Sequence, residues 1–419
     1  MASPEATGVD VTKQHSFPKD KIRILLLEGI HAAAGERFSQ AGYTVESLPS
    51  AASEQQLLDV IPEIHLLGLR SKTQVTKRVL DASTRLLAIG CYCIGTDQVD
   101  LKMAASRGVP VFNAPFSSTR SVAELTLAEV VMLARRAAHR SQQLHAGRWE
   151  KSAAGSHEVR HKTIGIVGYG HIGPQVGLLA EAFGMRVVFY DTAKKLPLGN
   201  AESLGSLDEL LETADFVTLH VPDTPSTRGM IGAEQLARTR SGSYLLNLSR
   251  GRVVDIEALR DALVSGHLAG AAVDVYPEEP QGRTGEFDVP LRGLDNVILT
   301  PHVGGSTLEA QRNIAIEVVD SLIGFTDAGA TTGAVNFPEV ELPLLQSGHR
   351  VLNIHQNVPG VLRDINQIIA DMGANVSAQY LSTLDEVGYL IMDVDAGLSR
   401  QVKHHIDALD TNIKTRLLF

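Results

Sequence analysis

A chain of 419 residues exceeds one ordinary domain, and its 44% hydrophobic content supports several cores, so two or three domains are expected. The formal charge of −10 argues against non-specific nucleic-acid binding, which needs clustered Lys and Arg against phosphates. No apolar run approaches the roughly 20 residues that span a bilayer, and no positive-then-apolar leader pattern opens the chain, so a cytoplasmic location is expected.

Residues 1–16 are polar and read as a loose tail. The run 21–27 is β-branched and leucine-rich and reads as a buried parallel strand ending at Glu28 and Gly29. A helix follows, with further strands expected at 43–46, 64–69, 86–90 and 109–113. Strands alternating with helical stretches imply a parallel α/β sheet. Cys91 and Cys93, the only cysteines, are too close for an unstrained disulfide and have no His or Cys nearby at metal-ligand spacing, so they read as reduced thiols with no metal site. Over 121–140, Val122, Leu125, Leu127, Val130, Val131 and Leu133 recur near the helical period. A second α/β series starts at Thr163. The stretch 331–338 reads as a linker or hinge, and from about Gly348 the pattern becomes strand, helix, strand, strand, helix, strand, a ferredoxin-like unit.

The apolar strand before Gly168, Gly170 and Gly173 gives Gly-x-Gly-x-x-Gly the context of a dinucleotide site. Gly168 permits the tight turn, Gly170 lets backbone approach a pyrophosphate, and Gly173 lets the helix pack on the strand. The pyrophosphate then meets free N–H groups at a helix N-terminus. Asp191 ends the next strand and lies 18 residues beyond Gly173, the place of the acid that binds the adenosine ribose and repels the 2′-phosphate of NADP. NAD is therefore the expected cofactor.

Three later strands end in polar groups: Arg250, then Asp274 with Glu279, then His302. In doubly wound sheets ligands bind at the carboxyl ends of strands, so these groups are expected to converge near the nicotinamide. Oxidising a 2-hydroxy acid needs a base for the hydroxyl proton and a cation for the carboxylate. His302 suits the first role and Arg250 the second, with Glu279 holding the imidazole and Asp274 on the nicotinamide side.

The motifs Gly168-Tyr169-Gly170-His171-Ile172-Gly173, Asn247-Leu248-Ser249-Arg250-Gly251, Asp274-Val275-Tyr276-Pro277-Glu278-Glu279-Pro280 and Thr300-Pro301-His302-Val303-Gly304-Gly305 resemble those of the D-isomer-specific 2-hydroxyacid dehydrogenase family. Within it they resemble the bacterial branch that oxidises 3-phosphoglycerate to 3-phosphohydroxypyruvate. The resemblance implies catalysis by Arg250, Glu279 and His302. It implies cofactor contacts from His171, Ile172, Leu248, Ser249, Val303, Gly304 and Gly305 beside the glycines, Asp191 and Asp274. It also implies two Rossmann-like doubly wound domains and an ACT module: a discontinuous substrate domain at 17–117 and 305–346, an NAD domain at 118–304, and the module at 347–419.

Arg70, Ser71 and Lys72 follow a strand and suit a carboxylate or phosphate, Lys72 standing where relatives often have Arg. The loop containing Gly95 resembles the family's substrate-side loop. ACT modules bind small amino acids between paired copies, and the resemblance assigns L-serine to His355, Asn357 and Asn375, with feedback inhibition and a homotetramer. A 2-oxoglutarate reductase side activity is also implied. The rival readings are a glyoxylate or hydroxypyruvate reductase, which generally lacks the C-terminal module, and formate dehydrogenase, whose His partner is Gln. An NADH-sensing corepressor on the same fold is the rival from outside enzymes.

Overall fold

The computed structural model describes residues 17–280, 285–342, 345 and 348–419; the tail expected at 1–16 lies outside them. The chain forms two compact units, one of residues up to Pro115 with Gln311–Phe419, the other Phe116–Ala310. No described helix is long and apolar enough to cross a membrane.

The first unit holds a five-stranded parallel sheet in the order Val45–Ser47, Ile24–Leu26, Leu66–Leu69, Ala88–Cys91, Val111–Phe112. Its three central strands are buried along their whole length, as a sheet covered on both faces requires. Side chains alternate between the faces: Ile24 and Leu26 join Phe38, Phe112 and Phe325 on one, and Leu25 and Leu27 join Leu57, Val79 and Ile89 on the other. The helix Leu308–Ala328 lies on the first face so closely that a Cβ on Gly90 would stand 2.6 Å from Val318.

The stretch 331–338, expected as a linker or hinge, is fastened to this sheet. The Asn336 side chain accepts from the Val111 amide at 2.8 Å and donates to the Val109 carbonyl at 3.1 Å, taking the place of a neighbouring strand. Thr331 and Phe337 beside it are buried.

A four-stranded antiparallel sheet follows in the order Val376–Leu384, Val387–Val394, His349–Gln356, Asn412–Leu418. Helices Val361–Asp371 and Ser399–Asp407 cover one face through Ile365, Ile369, Val402 and Ile406, completing the ferredoxin-like unit. It grips the end of helix Leu308–Ala328, whose last carbonyls lack intrahelical donors. Arg350 donates to Ala328 at 3.1 Å, Arg416 to Thr326 at 2.9 Å, and the Tyr389 hydroxyl to Gly329 at 2.7 Å. Cations there also face the negative end of the helix dipole. Lys414 donates to the Leu86 carbonyl, and burial pushes its ammonium down to about 8.

The second unit is a seven-stranded parallel sheet in the order Val297–Leu299, Leu268–Val273, Ser243–Asn247, Phe216–Leu219, Thr163–Val167, Arg186–Tyr190, Glu202–Ser203. Helices Thr119–Arg135 and Ile172–Ala182 pack on one face, and Leu207–Thr213, Ala233–Arg238 and Ile256–Val264 on the other. The winding reverses between Thr163–Val167 and Phe216–Leu219, which places the ligand crevice at the carboxyl ends of those strands.

Arg350 is 1% exposed, and its fork donates to both carboxylate oxygens of Asp393, at 2.7 and 2.8 Å. Arg350→Ala strands that carboxylate in a nearly dry site. The substitution is expected to destabilise the first unit by about 3–5 kcal/mol, read as a lower urea midpoint; an unchanged midpoint would remove the pair from the account.

Candidate active site

The glycine loop begins where Thr163–Val167 ends. Gly168 has φ +91°, and a Cβ there would lie 2.4 Å from the His220 carbonyl oxygen, so only glycine makes the turn. A Cβ on Gly173 would lie 2.5 Å from the Gly168 oxygen, which is how closely the following helix seats against the loop. Gly170 has nothing within 4 Å of its Cβ position, leaving its backbone open to a ligand. The His171 ring packs against Phe116 in a tilted arrangement with centroids 4.1 Å apart, and Ile172 opens helix Ile172–Ala182. Asp191 ends Arg186–Tyr190, and its carboxylate accepts from the Tyr169 amide at 2.8 Å and the Ala193 amide at 2.9 Å. An open glycine backbone, a helix N-terminus and an oriented acid at the neighbouring strand end fit a dinucleotide.

Three further strand ends carry the other polar groups of this unit. After Ser243–Asn247, the Asn247 side-chain oxygen accepts from the Ser249 amide and hydroxyl, and its amide donates to the Arg250 carbonyl at 3.1 Å. This folds Leu248 and Ser249 inward, where both are buried, and turns the chain at Arg250. Arg250 Nη1 donates to the Ser249 carbonyl at 2.8 Å. Gly251 then lies flat on the next loop: a Cβ would overlap the Tyr276 carbonyl carbon at 1.9 Å. That approach brings the Arg250 turn beside the loop bearing Glu279.

Asp274 follows Leu268–Val273 and is 1% exposed. Its carboxylate accepts from the Thr300 hydroxyl at 2.6 Å, the Val303 amide at 2.8 Å and the Gly304 amide at 2.9 Å. Its carbonyl accepts from the His302 amide at 2.8 Å. The turn holding His302 is thus wrapped around one acid, and His302 takes φ +54° within it, a conformation a non-glycine residue keeps only when its surroundings hold it. Gly304 is squeezed between Asp274 and Val122, and Gly305 lies against Ser118.

His302 Nδ1 lies 2.8 Å from Glu279 Oε2, while Glu279 Oε1 accepts from the Tyr276 amide at 3.1 Å. The Glu279 hydrogen bond raises the His302 pKa above the ordinary imidazole range, against the opposing effect of burial. Burial alone would raise the Glu279 carboxyl, but the His302 hydrogen bond and charge, the Tyr276 amide and Arg250 together bring it below the usual carboxylate range. The pair therefore favours imidazolium with carboxylate.

In the first unit, Arg70, Ser71 and Lys72 follow Leu66–Leu69. Sequence reasoning missed what shapes this loop. The buried Glu28 carboxylate accepts from the Lys72 amide at 3.1 Å and the Thr73 amide at 2.8 Å. Gln98 donates to the Arg70 carbonyl at 2.5 Å and the Gly95 carbonyl at 3.4 Å, tying the two loops together. In the ferredoxin-like unit, His355 is buried, pairs with Asn353 at 2.9 Å and is pushed toward the neutral form by burial. Asn357 donates to the Asp385 carbonyl at 3.0 Å. Asn375 stands beside Asp395, past the far end of Val387–Val394, so one copy of the chain does not bring it to His355 and Asn357.

Gly251, Thr300 and Asn247 stand in the quoted motifs without a role read for them: Gly251 and Thr300 act on loops 25 and 26 residues away, while Asn247 shapes the turn directly after it. The signal available for Asn247 was a polar residue closing an otherwise apolar strand.

Residues 127–304 match the model of the D-isomer specific 2-hydroxyacid dehydrogenase NAD-binding domain, and 352–414 match an acetohydroxyacid-synthase small-subunit-like ACT domain. A D-3-phosphoglycerate dehydrogenase of Dictyostelium discoideum is 55% identical over 404 residues, covering 96% of this chain and 99% of that protein. The Escherichia coli K12 protein of that name is 51% identical over 407 residues, covering 96% and 99%. Among solved structures, the D-lactate dehydrogenase of Aquifex aeolicus, complexed with NAD and lactic acid, matches at TM-score 0.63 and 27% identity over 72% of this chain and 95% of that one. The chain belongs to the D-3-phosphoglycerate dehydrogenase family of the D-isomer-specific 2-hydroxyacid dehydrogenases and is an NAD-dependent oxidoreductase.

Proposed function

We propose that the chain oxidises 3-phosphoglycerate reversibly to 3-phosphohydroxypyruvate in the cytoplasm, the first step of phosphorylated serine synthesis, and that L-serine inhibits it. The observation that carries the chemistry is the His302–Glu279 pair at a strand end of the cofactor-binding sheet. The names of the closely similar relatives support the substrate.

With Nδ1 engaged by Glu279, His302 Nε2 takes the C2 hydroxyl proton, and Glu279 stabilises the imidazolium that forms. Arg250 grips the substrate carboxylate as a fork and polarises the C2 oxygen. NAD, when bound, supplies the acceptor for the hydride leaving C2. Gly168, Gly170, His171, Ile172 and Gly173 hold its pyrophosphate side and Asp191 its ribose. Leu248, Ser249, Asp274, Val303, Gly304 and Gly305 shape the nicotinamide side. Arg70 and Lys72, with Ser71 and Gly95, receive the substrate phosphate. Arg250 and His302 ask only for a 2-hydroxy or 2-oxo acid, a requirement that 2-oxoglutarate also meets as a second substrate.

For regulation, His355 and Asn357 of one copy meet Asn375 of a second, because one chain keeps them apart; a homotetramer supplies such pairs. Serine inhibits by binding the inactive arrangement more tightly.

NADH oxidation with 3-phosphohydroxypyruvate, with and without L-serine, tests both halves: rapid turnover that serine suppresses supports them. Turnover of glyoxylate or 2-oxoglutarate alone would discard the substrate, and indifference to serine would discard the regulatory site. In calorimetric titration, Asn357→Ala is expected to bind serine at least tenfold more weakly, about 1.4 kcal/mol; equal affinity would remove Asn357.

Oxidation needs neutral His302, so its kcat/KM falls as pH drops through the raised imidazole pKa; reduction needs imidazolium and falls as pH rises through it. Glu279→Gln removes the largest raising influence. Both limbs are expected to move to lower pH, and kcat to fall roughly 10²- to 10⁴-fold. Limbs that stay in place would contradict the pairing.

A further inference from the structure

Helix Thr119–Arg135 buries Val122, Thr126, Glu129 and Leu133 along one face. Val122 lies beside Gly304 and Asp274 at the carboxyl edge of the sheet, and Leu133 lies by Gly270 toward the other edge, so Glu129 sits in the layer beneath the His302 turn. Glu129 is 1% exposed, and neither carboxyl oxygen has a hydrogen-bond partner among the described residues. An ionised carboxylate without a partner in such a place loses its hydration with nothing to replace it. A leucine would fill the same helix position without that cost.

The groups around it are acidic or neutral. Asp274 acts on it from the strand end, and Tyr276 stands in the loop beyond. Strands Leu268–Val273 and Val297–Leu299 carry no titratable side chain. Tyr244 on Ser243–Asn247 stacks on Phe216, and Glu181 on Ile172–Ala182 is turned to the Asn200 amide. On the neighbouring helix Ala137–His145, His139 lies 3.4 Å from Asp295; Arg140 and His145 make no ion pair with Glu129 among the described residues.

We propose that Glu129 is a positioning residue that keeps its proton beneath Asp274, so that the two buried acids carry one negative charge and Asp274 alone holds the His302 turn. Two carboxyls in one dry site do not both ionise readily. Asp274 has three donors and Glu129 none, which decides where the charge resides. Burial and then the Asp274 charge push the Glu129 carboxyl up to about 8. Ionisation of Glu129 sets a second negative charge under the turn, against the one that gathers Thr300, Val303 and Gly304.

The inference rests on His302 being the base. In the oxidation direction His302 needs no proton, so an alkaline fall in kcat reports another group. Wild-type kcat, measured with whichever 2-hydroxy acid is turned over, is expected to fall about tenfold per pH unit well above pH 8, and Glu129→Gln to abolish that fall. A carboxyl raised in the folded state lends stability at low pH that is lost as pH rises through its folded value. The wild-type melting temperature should therefore decline between about pH 5 and 8 relative to Glu129→Gln. Infrared difference spectra of the wild-type protein, which need neither substrate nor a folded variant, should show one protonated carboxyl persisting at pH 6.5 and gone at pH 9.5. Absence of that band, or an alkaline limb that survives Glu129→Gln, overturns the proposal. A limb abolished together with a band that titrates supports it. If instead His302→Ala turned over normally while the band remained, the His302 reading would fail and take the positioning role with it.

Discussion

The carboxylate of Asp274 accepts hydrogen bonds from Thr300, Val303 and Gly304, and its carbonyl accepts from His302. One buried acid thus determines the path of the turn, and the left-handed backbone of His302 depends on that path. The His302–Glu279 approach and the raised imidazole pKa follow from it. The second contact is steric: Gly251 lies against the Tyr276 backbone, setting the Arg250 turn next to the same loop. A polar site at a strand edge is held here by neighbouring loops holding one another, with the sheet fixing only where each loop starts.

That division explains what was legible in the sequence. The strands were visible because full burial in a parallel sheet demands unbroken apolar runs, and the glycine loop because its three glycines answer a local need. Polar groups expected at strand ends are at strand ends. The contacts that organise them are not periodic: Glu28 clasps amides 44 and 45 residues away, and Gly251 meets a backbone 25 residues on. Nothing in a local window announces such pairings. Residues 331–338 looked like a linker because they stand between two patterned segments and carry Gly333 and Pro338, yet Asn336 uses its amide to extend a sheet. Glu129 was passed over because the apolar residues around it read as an ordinary helix face.

Within the first unit the ferredoxin-like sheet meets the parallel-sheet layer through shared core residues, the Lys414–Leu86 contact and the end of one helix. Arg350, Arg416 and Tyr389 occupy the carbonyls after which Leu308–Ala328 can no longer bond to itself. A change in the antiparallel sheet reaches those carbonyls directly, since Arg350 and Tyr389 lie on the two strands that pair at its centre. His355, one of the residues proposed to bind serine, shares the strand His349–Gln356 with Arg350.

The most direct test of the account is a histidine NMR titration of His302 in the wild-type protein and in Asp274→Asn. The account predicts a wild-type imidazole pKa above the ordinary value that falls in the variant, through loss of the Asp274 charge that helps raise it and through loss of the Glu279 approach as the turn loosens, the latter read as a His302 Nδ1–H signal that no longer shows its hydrogen bond to Glu279. An imidazole that titrates identically in both proteins would mean that Asp274 does not hold the turn.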